Sequence, residues 1–363
     1  MSDLTRRQFL VMGTGVAAAT WLSACGSDSA GSKTGSDSEI PTNITLDQLV
    51  ERAKAEGSIS YYALSQQSID LFVPAFTAAY PWAKVSTFAA TGSSLASKVI
   101  LETKARVRNC DIVLHPPAQR QNYLNNKAIQ PTPNLPDLNN VPEGLRDPES
   151  YSLPTYQNPI VLAYNTKLVT TPPPTDISAY GDPAWKGKFV MERPQNLGLA
   201  AGFLASHRQE WGDAKWNQWL EALGKNDVLI TENATSSYQA VLTGERSIGV
   251  IGLNDVLNQA EGAPVKACFY DGIAPLPVYF ARIANCPHPF MAALFMTFAI
   301  SDAGQAAVAK AGNIPILADI DAPTSISKVL PNGQDSQLPT SALATLYSKP
   351  DEYTTAFNKL WPV

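Results

Sequence analysis

Cysteine, histidine and net charge are all scarce in this chain of 363 residues, and each scarcity removes a class of function. The three histidines, His115, His207 and His288, are scattered, and none has the spacing of a metal-binding pair. A net charge of -5 without a basic patch does not suit nucleic acid. There is no Gly-x-Ser-x-Gly elbow, and Gly187-Lys188 and Gly224-Lys225 lack the upstream glycine of a phosphate-binding loop. The expectation is a protein that is not an enzyme and carries neither metal nor cofactor. Of the four cysteines, Cys25 stands apart near the start; Cys110, Cys268 and Cys286 are an odd count that allows one disulfide and one leftover thiol. Cys268 and Cys286 sit at strands that could be neighbours, so they are the expected pair. Cys110, in NCDIVL, reads as a small buried hydrophobe.

What is present begins with an address. Thr5-Arg6-Arg7-Gln8-Phe9-Leu10 is a twin-arginine pattern, and the apolar run behind it ends at Ala19, too short to span a bilayer. Leu22-Ser23-Ala24-Cys25 resembles a lipobox, which makes residues 1–25 a signal peptide and Cys25 a lipidated anchor on the outer face of the cell membrane. Residues 26–42 are Gly, Ser and Asp with almost nothing apolar, the composition of a flexible tether.

From Thr45, strand and helix patterns alternate. A capping-box spacing (Thr45, Gln48) starts a helix that Gly57 ends, strands are expected at 58–63, 84–89 and 111–114, and helices lie between them. Such alternation means parallel βαβ units, an α/β lobe. At 363 residues two lobes are expected. The chain changes lobe in the stretch Asn158 to Met191, where the apolar run PIVLAYNTKL breaks at Pro172-Pro173-Pro174. The boundaries read as 43–155 with 271–320 for one lobe and 156–270 for the other, with crossovers near 154–159 and 266–272. Residues 321–363 are expected to pack back over the lobes. In the second lobe, a helix is expected over 197–209, and Asp213 caps a second with Trp216, Trp219, Leu220 and Leu223 in one stripe.

Two stretches share one design. TGSSLAS (Thr91, Gly92, Ser93, Ser94) and ATSSYQA (Thr235, Ser236, Ser237) each put small hydroxyl residues between a strand end and a helix start. Unpaired first-turn amides and the helix dipole suit phosphate or carboxylate at such turns. Other strand-end candidates are Tyr62, Ser65, Gln66 and His115 in the first lobe and Arg193, Gln195, Asn196, Asn254 and Asp255 in the second, with Tyr238 and Tyr279 as apolar walls. Arg193 would grip an oxyanion bidentately; Asp255 would suit an ammonium.

The motifs NPIVLAYNTKL (158–168), DPAWKGKF (182–189), TGSSLASK (91–98), AVLTGERSIGV (240–250), AEGAPVK and PHPFMAALFMTFAISDAGQ (287–305) together resemble the solute-binding proteins of ABC importers, in the branch that binds ferric iron, thiamine, polyamines and phosphonates. The resemblance implies an α/β, two-lobed, periplasmic-binding-protein-like (Venus-flytrap) fold of type II. It also implies capture of a small solute between the lobes and delivery to an ABC permease and ATPase on other chains. In ferric members, adjacent tyrosines stand about where Asn254-Asp255 stands here, and an arginine stands near Tyr156-Gln157. Hard Fe(III) wants several anionic oxygens, so iron ranks second to a phosphonate-like or organophosphate-like anion or zwitterion. A secreted enzyme or a sensory lipoprotein on the same scaffold is the alternative from another class.

Overall fold

A computed structural model describes residues 39–90, 92–132, 134–147, 149–273, 276–317, 319–330 and 346–362. The expected signal, lipobox and most of the tether lie outside the described residues. Each helix boundary in the first lobe has a local cause. In α1 (Leu46–Glu56), Thr45 and Gln48 exchange the two bonds of a capping box, and Gly57 closes the helix at φ +70°. Then follow β1 (Ser58–Ala63), α2 (Gln66–Ala79) capped by Ser65, β2 (Lys84–Ala89), α3 (Gly92–Lys104), β3 (Ile112–His115), α4 (Pro117–Asn125) and β4 (Ile129–Gln130). Next come β5 (Leu153–Gln157), β6 (Ile160–Asn165), β7 (Phe189–Glu192), α5 (Leu199–Ala205), α6 (Arg208–Gly224), β8 (Leu229–Thr231) and α7 (Ala234–Thr243). The remainder is β9 (Ile248–Gly252), α8 (Leu253–Leu257), β10 (Val265–Cys268), β11 (Pro277–Ile283), α9 (Pro289–Ile300), α10 (Asp302–Lys310), β12 (Ile314–Pro315) and a C-terminal helix (Pro350–Leu360).

The strands form two sheets. The first runs β12-β5-β11-β3-β1-β2, with β4 also on β11; the second runs β10-β6-β9-β7-β8. β1 is parallel to β2 and β3, whereas β11 returns antiparallel to β3 and β5. The chain leaves the first sheet between β5 and β6 and rejoins it between β10 and β11. Tyr156 and Gln157 still pair in the first sheet with β11 and β12. Tyr270, Ile273 and Leu276 pack into the core of the second lobe, so the return falls later than 271. α9 is apolar on every side but for Thr297, because every side is buried; all twelve of its residues are buried and ten of them belong to the first-lobe core. No described helix is long and apolar enough to cross a membrane.

Three local expectations need correction. The helix foreseen over 197–209 is shorter: Leu197 adopts φ +55° and Gly198 precedes α5, which ends at Ala205. Asp213 does not cap a helix; its carboxylate takes Arg208 Nε at 2.8 Å, while Gly212 at φ +73° breaks α6 just before it. Trp216, Trp219, Leu220 and Leu223 are nonetheless the buried stripe. The third correction is the disulfide. Cys268 and Cys286 belong to different lobes, and all three described cysteines are free and buried. Cys268 Sγ lies 3.8 Å from the carbonyls of Pro173 and Pro174.

The C-terminal helix lies on the second lobe, with Tyr353, Phe357 and Trp361 in its core. Arg208 is sandwiched between Trp216 and Tyr353, 4.6 and 4.7 Å from their ring centres, and pairs with Glu352. Gln195 Nε2 donates to Trp361 O at 2.7 Å and to Asn358 Oδ1 at 2.9 Å.

Candidate functional site

A cavity of about 800 Å³ opens where the two lobes face each other. Its first-lobe wall is the turn after β1, where Ser65, Gln67 and Ser68 begin α2. Its second-lobe wall is α7, through Tyr238 and Gln239, and α8, through Asn254 and Asp255, with the 258–263 turn at the rim. Tyr156, Asn158 and Asn313 close the side where the chain crosses between sheets. Amides, hydroxyls, three leucines and the carboxylates of Asp255 and Glu261 line it; among the described residues no lysine, arginine or histidine does.

Asn254 fastens this corner. Its backbone N–H donates to Asn158 Oδ1 at 3.0 Å, and its Nδ2 donates to Gln157 O and Asn313 Oδ1, each at 3.0 Å. Gly252 is required beside it, since a Cβ there would stand 2.4 Å from Asn158 Nδ2. One residue on, Asp255 sits in the first turn of α8, and burial pushes its carboxyl up to about 6. Among the described residues it has neither a hydrogen-bond nor an ion-pair partner. Tyr156 and Tyr238 share its surroundings: burial first, and then the Asp255 charge, raise both phenols, Tyr156 to about 12. The Tyr238 hydroxyl donates to Gln259 Oε1 at 3.2 Å.

The cavity thus gathers Ser65, Asn254, Asp255 and Tyr238 from among the residues singled out in the sequence. The others lie elsewhere, each for a visible reason. Tyr62 turns its hydroxyl to Glu102 on α3, at 3.2 Å, under the Lys98 ammonium. Gln66 is exposed and donates to Asp70 at 2.9 Å; its neighbour Gln67 faces the cavity instead. His115 is wholly buried, with Nε2 at 3.2 Å from Ser152 Oγ, Nδ1 at 2.9 Å from Pro116 O, and its ring stacked on Tyr279. Burial lowers its titration to about 4. Tyr279 is consequently a first-lobe packing group and not a cavity wall. Arg193 pairs with Glu232 at 2.8 Å, and Asn196 donates to the Glu232 carbonyl. Gln195 holds the C-terminal helix.

Among the described residues, none of the hydroxyls of the two turns lines the cavity. Gly92, Ser93 and Ser94 begin α3 beyond its edge, and Thr91 is outside the described residues. In the second lobe, the α7 cap is Asn233, whose Oδ1 accepts the N–H and hydroxyl of Ser236 at 2.9 and 3.1 Å. Ser237 is buried against Thr231 Oγ1 at 2.7 Å, and Thr235 is exposed. The amides there already have an acceptor in the chain itself, the carboxyl of Glu192, whose titration burial raises. Glu192, at the end of β7, is buried and accepts backbone N–H groups at the starts of α5 and α7, that of Ala200 at 3.4 Å. Gly198 makes room for it, because a Cβ would meet Glu192 Oε1 at 2.4 Å. Reading by motif overlooked Gln67, Ser68, Gln259 and Asn313, which carry no motif, and took Asn158 only as the opening of NPIVLAYNTKL; Gln67 and Ser68 had only their position after β1 to mark them.

The description "bacterial extracellular solute-binding protein" fits residues 72–334, well over half the chain. No curated protein matches the sequence. Among solved structures, iron-bound HitA from Pseudomonas aeruginosa superposes with a TM-score of 0.71 at 18% identity, covering 84% of this chain and 99% of that one. The ferric binding protein from Campylobacter jejuni gives 0.70 at 17%, with 84% and 99% covered. A periplasmic thiamin binding protein gives 0.67 at 16%, with 84% and 96% covered. The fold is that of the type II periplasmic binding proteins, two lobes about a cleft. With this architecture and a family match of that extent, the chain belongs to the bacterial extracellular solute-binding proteins.

Proposed function

We propose that the chain is the substrate-binding lipoprotein of an ABC importer, held at the cell surface through Cys25, and that its cargo is a small solute carrying a positive charge, seated on Asp255. The two lobes close over the cargo, and the closed form is what the permease and its ATPase engage. The observation that carries this is the Asp255 carboxylate, half-buried in a cavity without one basic residue and without a partner of its own. A carboxylate in that position lacks a counter-charge, and a cation supplies it. Two of the cargoes named for neighbouring structures, ferric ion and thiamin, are cationic too. A zwitterion such as an aminophosphonate fits if its oxyanion end meets the hydroxyls of Ser65 and Ser68, with the positive end of α2 behind them. A simple dianion does not fit.

A second reading is ferric iron, favoured by the two phenols, Tyr156 and Tyr238, on the same cavity as Asp255. Thermal unfolding of the purified protein with 2-aminoethylphosphonate, a short diamine, thiamin, inorganic phosphate and ferric citrate separates these readings. Stabilisation by an amine and none by phosphate is expected. A phenolate-to-iron absorption band with ferric citrate hands the site to iron, and stabilisation by phosphate alone overturns the cationic reading.

A further inference from the structure

The edge of the first sheet away from the cavity holds a second cluster of reactive groups. Ser58 opens β1 directly after Gly57, and its Oγ lies 3.3 Å from Nε2 of His288, the residue before α9. On the other side of that ring, Nδ1 lies 3.0 Å from Oδ2 of Asp111, which is wholly buried just before β3. Asp111 is itself held: Ser60 N–H donates to Oδ2 at 2.7 Å and His288 N–H to Oδ1 at 2.8 Å. Positions 58, 111 and 288 meet because β1 pairs with β3, and β3 pairs with β11, which leads into α9. Hydroxyl, imidazole and buried carboxylate therefore stand in the sequence of contacts that activates a serine, an arrangement recognised by geometry and not by chain position. With the Nδ1 proton given to Asp111, Nε2 is the acceptor facing Ser58. The His288 side chain is 30% exposed and Ser58 is half-buried, so a small electrophile reaches them from solvent.

We propose that Ser58 is an activated nucleophile, with His288 as its base and Asp111 as the residue positioning the ring, and that it accepts acyl groups from small activated esters. Oγ bonds to the carbonyl carbon as its proton passes to Nε2. The bond to the alcohol then breaks with its electron pair, and the departing oxygen takes the proton from His288. Water, deprotonated by the same nitrogen, releases the acid and restores Ser58. The first-turn amides of α9, at Phe290 and Met291, are taken by Glu56 at 3.2 and 2.7 Å, so they do not serve a developing oxyanion. Turnover is accordingly slow, and covalent labelling is the sensitive readout. Six residues of β1 and its turn, roughly 20 Å, separate Ser58 from the cavity, so the site is independent of cargo.

The test is incubation of the purified protein with a fluorophosphonate and with p-nitrophenyl acetate, locating adducts by peptide mass spectrometry. One adduct on Ser58 is expected, with none at that position in Ser58→Ala, and a labelling rate that falls about 100-fold or more in His288→Gln. Should His288→Gln unfold, the wild type alone still decides: Ser58 should be labelled about 100-fold faster than any other serine of the chain. No adduct on Ser58, an undiminished rate in a folded His288→Gln, or labelling spread evenly over the serines overturns the proposal.

Discussion

Two strand-to-helix turns, one in each lobe, invite the same reading and behave differently. After β1, Ser65 caps α2 by accepting the Ser68 N–H at 3.2 Å and meets the Ser68 hydroxyl at 3.1 Å, yet both residues still line the cavity. After β8, the start of α7 is met from within by the Glu192 carboxyl, and Ser236 and Ser237 are spent on Asn233 and Thr231. An amide-rich helix start attracts an anion wherever one is available, and here a side chain of the same chain arrives first. The charge preference of the cleft is thereby left to Asp255.

That contrast can be broken at its two acids. Asp255→Asn should remove the stabilisation by an amine cargo, weakening affinity by about 2–4 kcal/mol, or roughly 30- to 1,000-fold, read by calorimetry; unchanged affinity would take the cation away from Asp255. Glu192→Ala strips the acceptor from buried helix amides and should lower stability by about 1–3 kcal/mol, measured by urea unfolding, with cargo affinity altered much less.

Acidity sharpens the same comparison. The Asp255 carboxyl is raised in the folded protein, so it binds its proton more readily folded than unfolded. The charged form therefore costs stability above pH 6, and the penalty shrinks as pH falls from about 6 towards the unfolded carboxylate range near 4. Apo Asp255→Asn should be more stable than wild type at pH 7 by about 1–2 kcal/mol, with the gap closing near pH 4, while cation binding by the wild type weakens as pH drops through 6. A gap that does not depend on pH would mean that Asp255 is not buried as described. The smallest effect is expected from Gln195→Ala, which frees the C-terminal helix from the second lobe at a cost of about 0.5–1.5 kcal/mol and leaves affinity alone.

The sequence was most legible where cause and effect are close together. Thr45, Gln48 and Gly57 bound α1, and PFMAALFMTFAI, apolar but for Thr297, read as a helix. Asp255 stood out because it followed the apolar run IGVIG. The fate of the hydroxyl turns was not legible, because it depends on Glu192 meeting helices that begin 7 and 42 residues later. The Cys268–Cys286 pairing failed for a similar reason: β10 and the segment after β11 lie close in the chain but on different sheets. The Ser58, Asp111 and His288 cluster also escaped notice, since its members are separated by 53 and 177 positions and share no motif.

The helix that follows Thr45 packs in the first lobe, and the helix that ends at Leu360 packs on the second. Fluorophores fixed to those two helices would ride on opposite halves of the molecule. Their energy transfer would report the angle between the halves directly, without any label near the cargo.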